Sequence, residues 1–103
     1  MADTLVFFKE LLPAKLAADA DLKTIDAIFQ FEIEGAGTWT LDLKGDGGVQ
    51  EGTVAEPDCV ITVGKDDWEE IVENPMLATQ YFMMGRLKTT KLGLAIQLQK
   101  ILA

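Results

Sequence analysis

The 103-residue chain has no histidine and one cysteine, Cys59. Without histidine it lacks the commonest general base, the usual partner of serine and cysteine nucleophiles, and the usual zinc and haem ligand. One cysteine closes neither an internal disulfide nor a structural zinc site. Cys59 opens a β-branched run, Cys59-Val60-Ile61-Thr62-Val63, directly after Asp58. An acidic neighbour raises a thiol pKa, so ordinary burial is expected rather than reactivity. The carboxylates cluster at Glu32 and Glu34 and at Asp66, Asp67, Glu69 and Glu70. A solvated strand face and a helix start account for them, because acids near a helix N-terminus complement its dipole. General acid–base chemistry needs one carboxyl held in an apolar pocket, and no pattern here places one. Gly45-Asp46-Gly47-Gly48 lies between two strand patterns, whereas a phosphate cradle needs a helix N-terminus behind it. Asp42 and Asp46 lack the remaining ligands of a calcium loop. The expectation is therefore a non-enzyme, with no catalytic residue, no metal and no cofactor.

One segment suits binding rather than catalysis. Large apolar residues of Met76-Leu77-Ala78-Thr79-Gln80-Tyr81-Phe82-Met83-Met84 wrap almost all the way round a helix. Such a helix is buried on every side, or has one face in the core and another on a ligand. Methionine is flexible and polarisable, and Gln80 and Tyr81 could supply the few polar contacts that orient an apolar ligand. Residue physics alone favours the core helix over the pocket wall.

The elements that would position this segment follow from periodicity. Thr4 can cap a first helix with Leu5, Phe8, Leu11, Leu12 and Leu16 along it, kinked or restarted at Pro13. Phe29, Phe31 and Ile33 alternate with Gln30, Glu32 and Glu34, and Trp39, Leu41 and Leu43 alternate with Thr38, Thr40, Asp42 and Lys44. These are half-buried strands. Gly45 to Gly48 is a tight hairpin. Val49 to Val54 and Cys59 to Val63 follow as further strands of an antiparallel meander. Asp66 and Glu69 form a capping box for the next helix. Asn74-Pro75 opens the helix that Gly85 ends. Arg86 to Thr90 can add an edge strand, and Leu92 to Leu102 is a last helix with Leu94, Leu98, Ile101 and Leu102 on one side. The fold class is α+β, with helices gathered on one face of a mostly antiparallel sheet.

Charge narrows the partners. The chain carries 17 acids and 9 bases, and a net charge of −8 argues against nucleic acid. Residues 74–103 hold no acid and four bases, Arg86, Lys88, Lys91 and Lys100, for +4 against −12 over residues 1–73. That end is the part fit for an anionic membrane surface or a partner enzyme. The sequence shows no secretory signal or run long enough for a membrane helix, and a cytoplasmic monomer is expected, with a dimer as the alternative.

Three stretches together resemble the sterol carrier protein type 2 family. They are Phe29-Gln30-Phe31-Glu32-Ile33-Glu34-Gly35 running into Gly37-Thr38-Trp39-Thr40-Leu41-Asp42-Leu43-Lys44-Gly45; Pro57-Asp58-Cys59-Val60-Ile61-Thr62-Val63 with Asp66-Asp67-Trp68; and Asn74-Pro75, Tyr81-Phe82-Met83-Met84-Gly85-Arg86-Leu87-Lys88 and Leu94-Ala95-Ile96-Gln97-Leu98-Gln99. At 103 residues the length allows a single domain, 1–103, and the resemblance covers residue 28 to the end. It implies a five-stranded sheet covered by helices, with an apolar tunnel between the sheet and the C-terminal helices. The implied role is non-catalytic carriage of a fatty acid, fatty acyl-CoA, sterol or phospholipid, or presentation of an apolar intermediate to a partner enzyme. Carried over by position, Met76, Tyr81, Phe82, Met84, Leu94, Leu98, Ile101 and Trp39 would face the tunnel. Thr90-Lys91 stands where the family commonly has a Gly-Asn or Gly-Asp turn.

Overall fold

The computed structural model describes residues 3–45, 48–54 and 56–102. The chain opens with α1 (Thr4–Val6), a π-helical turn (Phe7–Leu11), α2 (Leu12–Ala18) and a 3₁₀-helix (Ala20–Ile25). Asp3 caps α1 by accepting from the Val6 N–H at 3.1 Å, a role expected of Thr4. The wide turn ends where Pro13 lacks an N–H, and Pro13 sits in the first turn of α2. It also turns the buried face, so Phe7, Phe8 and Leu12 are buried while Leu5 and Leu11 are exposed.

The strands are β1 (Ile28–Glu34), β2 (Gly37–Asp42), β3 (Gly48–Glu51), β4 (Cys59–Gly64) and β5 (Leu87–Thr89), in the sheet order β3-β2-β1-β4-β5. Three pairs are antiparallel and one, β1 with β4, is parallel. The expected meander therefore breaks after β3, and β4 crosses to the far side of β1. Asp58 fixes that placement: its N–H donates to Ile28 O, and its Oδ2 accepts from the Ile28 N–H, both at 2.9 Å. Lys44 adds an ion pair with the same carboxylate at 3.2 Å. The β2–β3 hairpin includes Asp46 and Gly47, which lie outside the described residues; β3 ends at Glu51 rather than Val54.

Register places Phe29 and Phe31 between Leu41 and Trp39 on one side and Cys59 and Ile61 on the other. All six are buried on one sheet face, in a single core with Phe8, Leu12, Trp68, Ile71, Leu98 and Ile101 from the helices. Gln30 and Thr40, on the opposite face, are buried by the segment after β3. There Thr40 Oγ1 donates to Gly52 O at 2.7 Å, and Gln30 Oε1 accepts from the Val54 N–H at 3.4 Å.

Next come α3 (Lys65–Glu73), α4 (Leu77–Met83), α5 (Leu92–Ala95) and α6 (Leu98–Leu102). The expected capping box is absent. Gly64 precedes α3 without a side-chain cap, and Glu69 turns to the N-terminal helix instead. Its Oε2 accepts from the Thr4 N–H and the Thr4 hydroxyl, both at 3.0 Å, and pairs with Lys65 at 3.2 Å. Asn74 likewise does not cap α4 with its side chain; its carbonyl accepts from the Leu77 N–H at 3.0 Å.

Burial alone would push the Glu69 carboxyl up, but the Thr4 bonds and Lys65 outweigh it and hold the group below the usual range. A lowered folded pKa contributes stability at neutral pH that is lost as pH falls through the carboxylate range. Glu69→Gln is thus expected to lose about 1–3 kcal/mol at neutral pH through its weakened charge-assisted bonds. It should also show a shallower decline on acidification than the parent, read from denaturation midpoints between about pH 7 and about pH 3.

The expected last helix is two short ones. The Gln97 N–H reaches Leu94 O and the Gln99 N–H reaches Ile96 O, a three-residue spacing that tightens the junction. Ala95, Leu98 and Ile101 are all buried at steps of three, which a 3.6-residue turn would rotate apart. The tightened turn keeps them facing the core and leaves Leu92, Ile96 and Gln99 on an adjoining side. Among the described residues, no helix is long and apolar enough to cross a membrane.

Candidate functional site

A cavity of about 360 Å³ lies among α4, β5, α5 and α6. From α4 it takes Ala78, Thr79, Phe82 and Met83, which at 100° per residue form two adjacent rows along one side. Leu92, Ala95, Ile96 and Gln99 form the facing stripe at helical spacing, with Leu98 beside them and Leu87 rising from β5. Ala78, Leu87, Ala95 and Leu98 are buried and make its floor, whereas Met83, Leu92 and Ile96 are 80%, 50% and 58% exposed and form its mouth. Opposed alanines on two otherwise bulky elements leave the space between them.

Two polar side chains, Thr79 and Gln99, belong to this wall, and they bond to each other: Gln99 Nε2 donates to Thr79 Oγ1 at 3.2 Å, joining α4 to α6. Among the described lining residues none is charged. The wall therefore offers neither a proton donor of tuned acidity nor a counter-ion, only apolar surface and one amide–hydroxyl pair. Nor do any three Cys, Asp or Glu among the described residues group to hold a metal ion.

A brace behind α4 sets its angle. Tyr81 is buried on the side away from the cavity, and its hydroxyl donates to Glu70 Oε1 at 2.7 Å. That bond, then burial and the Glu70 charge, push the phenol pKa up. Arg86 lies over the Tyr81 ring at 4.5 Å and pairs through both Nε and Nη2 with Asp67, which raises its own pKa. Gly85, at φ +78, ends the helix: its N–H reaches Phe82 O and the Arg86 N–H reaches Tyr81 O, returning the chain into β5. Cys59 is buried at the start of β4, where β5 ends, with Sγ 3.2 Å from Thr89 Oγ1. Burial pushes its thiol pKa up, with Asp58 adding to the rise.

Of the residues expected to meet a ligand, the cavity wall brings together Phe82 and Leu98. Tyr81 belongs to the brace, and Gln80 and Met84 are exposed and turned from the cavity by the pitch of α4. Met76 is exposed in the turn before α4. Leu94 packs half-buried against the core and Ile101 lies within it. Trp39 is buried under the N-terminal helix, its ring stacked 5.0 Å from that of Phe8. The wall residues Ala78, Thr79, Leu92, Ala95, Ile96 and Gln99 lay outside the expectation. Their signal in the sequence is the pair of alanines and the i, i+3, i+4, i+7 stripe from Leu92.

Residues 8–103 match the model of the SCP-2 sterol transfer family. The chain belongs to that family. Its relatives include hydroxysteroid dehydrogenase-like protein 2 of Mus musculus, 36% identical over 82% of this chain and 18% of the relative. Sterol carrier protein 2 of Homo sapiens is 34% identical over 91% of this chain and 19% of its own length. The chain thus spans about a fifth of the length of these curated relatives. Among solved structures, sterol carrier protein 2 from Yarrowia lipolytica in its apo form superposes with a TM-score of 0.81 at 26% identity, covering 94% of this chain and 87% of that one. Sterol carrier protein 2 like 2 from Aedes aegypti gives 0.75 at 25% identity, covering 93% and 94%. Membership accounts for the α+β fold and its five-stranded sheet with a single parallel pair.

Proposed function

We propose that this chain binds and carries an apolar ligand in the α4–α6 cavity without transforming it. The observation that carries this reading is the wall itself: about 360 Å³ of space lined by apolar side chains and one self-satisfied polar pair. Each methylene moved from water into such a wall gains about 0.8 kcal/mol, so ten gain about 8 kcal/mol. Association costs of several kcal/mol offset part of this and leave moderate, weakly selective affinity. At about 30 Å³ per water-sized unit, the space holds roughly a dozen such units, the bulk of one acyl chain rather than a whole phospholipid. A fatty acid or acyl-CoA would keep its charged end at the mouth, because the wall has no counter-ion for it. The names of the family and its relatives add sterols to the ligand classes to be tried. Titration with a fluorescent polyene fatty acid should saturate at one per chain and be reversed by unlabelled fatty acid or sterol. Absence of saturable binding across these lipids would reject the reading.

A second reading rests on length. The chain matches about a fifth of proteins named as hydroxysteroid dehydrogenase-like. On this reading it is an accessory domain that presents an apolar intermediate to a partner enzyme. A dehydrogenase whose KM for an apolar substrate falls when this chain is added or fused would favour it; an unchanged KM would reject it.

A further inference from the structure

We infer that the two ties from α4 to α3, Tyr81 to Glu70 and Arg86 to Asp67, hold the cavity open while it is empty, which makes Tyr81 and Arg86 positioning residues for ligand binding. The inference rests on the carrier reading for the ligand, and on separate observations for the device. An empty apolar cavity forfeits packing contacts along its walls, so a wall that can move tends to close on it. The wall able to move is α4. It has seven residues, too few to persist as a helix without support, and buries only Ala78 and Tyr81. The opposite wall is anchored in the core by Leu98 and Ile101. The bond from Gln99 to Thr79 draws α4 toward α6, and both of its partners are exposed.

What opposes closure lies behind α4. There α3 is a fixed post: Trp68 and Ile71 are fully buried, and Glu69 ties the helix to Thr4. Asp67 and Glu70, three residues apart, present neighbouring carboxylates on one side of it. The Tyr81 hydroxyl donates to Glu70 Oε1 at 2.7 Å, and Arg86 Nε donates to Asp67 Oδ2 at 3.1 Å. One tie grips the last turn of α4 and the other the chain just past its Gly85 stop. Two points of attachment fix the tilt of the helix as well as its distance from α3. The Arg86 guanidinium lies 4.5 Å over the Tyr81 ring, so the ties support each other. Neither Tyr81 nor Arg86 lines the cavity. Their effect on a ligand must therefore pass through the position of α4. With the ties intact, the geometry that admits a ligand is already populated. With one cut, that population shrinks, and apparent affinity falls by the same factor through slower association.

The test is equilibrium and stopped-flow binding of a fluorescent polyene fatty acid to the full chain. Tyr81→Phe keeps the ring and deletes the donor. It should weaken binding about tenfold, the scale of one bond to a charged group, with the loss in the association rate and dissociation nearly unchanged. Arg86→Gln should act in the same direction. Glu70→Gln keeps an acceptor for the phenol and should lose only about threefold. Glu70 is exposed and rehydrates when released, so the denaturation midpoint of Tyr81→Phe should stay close to that of the parent. A second readout is spectroscopic. The chain has one tyrosine, so tyrosinate absorbance reports on Tyr81 alone. The charged groups facing its phenol are Glu70 and Asp67 of α3 and Arg86. Ionisation breaks the donated bond. By reciprocity, saturating oleate should raise the ionisation midpoint by about one pH unit, the same factor of ten read from the other side. The inference is overturned if Tyr81→Phe binds with the affinity and association rate of the parent, even at lowered stability. It is overturned too if the loss appears only as faster dissociation, which would mark direct contact with the ligand, or if oleate leaves the tyrosinate midpoint in place. A parent that binds no fatty acid rejects the carrier reading itself, whereas a parent that binds and variants that match it reject the brace alone.

Discussion

Phe8→Ala is expected to lower the unfolding free energy by about 3–5 kcal/mol, the range for emptying a buried aromatic site. Phe8 is 1% exposed and joins three parts of the core. Its ring is parallel to Trp39 of β2 at 5.0 Å and to Trp68 of α3 at 5.7 Å, and it leans on Phe31 of β1 at 5.4 Å. Removing it opens a void between two large rigid rings that cannot collapse onto each other without moving their backbones. Trp68 also buries its Nε1–H without a hydrogen-bond partner among the described residues, so packing must offset that desolvation. Small domains hold about 5–15 kcal/mol in total, so the loss is a large share. Chemical denaturation measures it directly. Leu11→Ala, on the same helix but exposed, should fall within about 0.5 kcal/mol of the parent. Equal losses at both positions would show that the stack does not anchor the helix.

The contrast between Phe8 and Leu11 also marks what the sequence can disclose. Local alternation is plain in it: Phe29, Phe31 and Ile33, then Trp39 and Leu41, recur at period two, and those residues are buried together in register. Gly85 as a helix stop is equally local, because a positive φ is a demand on one residue. The features that could not be read from the sequence are those made by distant partners. Glu69 has the spacing of a capping box, yet its carboxylate serves Thr4, 65 residues away. Asp58 looks like turn punctuation, yet it clamps Ile28 and sets the one parallel pair. The π-helical turn before Pro13 shifts the buried face, which a regular 3.6-residue stripe cannot anticipate.

The site was harder to read than the fold, because apolar patterning marks what is buried and not what space is left over. Met76, Tyr81 and Met84 are large and soft, but the volume is left by the small residues of the wall, Ala78 and Ala95. The cavity falls within the stretch from residue 76 onward that the sequence marks out, but most of the residues that line it are not marked there. The pitch of α4, which decides which of its residues face inward, depends on the Tyr81–Glu70 bond and the Arg86–Asp67 pair, both reaching across to α3.

Those alanines supply the strongest test of the cavity as the binding site. Ala95→Phe is expected to weaken fatty-acid binding about hundredfold while leaving the fold as stable as the parent or more so. A cavity of about 150 Å³ accommodates a benzene ring, so the new phenyl group would take roughly two-fifths of the 360 Å³ available. A ligand that loses about four methylenes' worth of contact gives up about 3 kcal/mol, which is the expected factor. Stability should move the other way, because the added ring fills a void with apolar surface instead of creating one. Opposite signs in fluorescent fatty-acid titration and in chemical denaturation separate a filled binding site from a damaged fold. Ala78→Phe, on the facing element, should repeat the result from the other wall, which guards against a local clash at either position. Ligand affinity unchanged in both variants would place the bound lipid elsewhere on the molecule, whatever their stability.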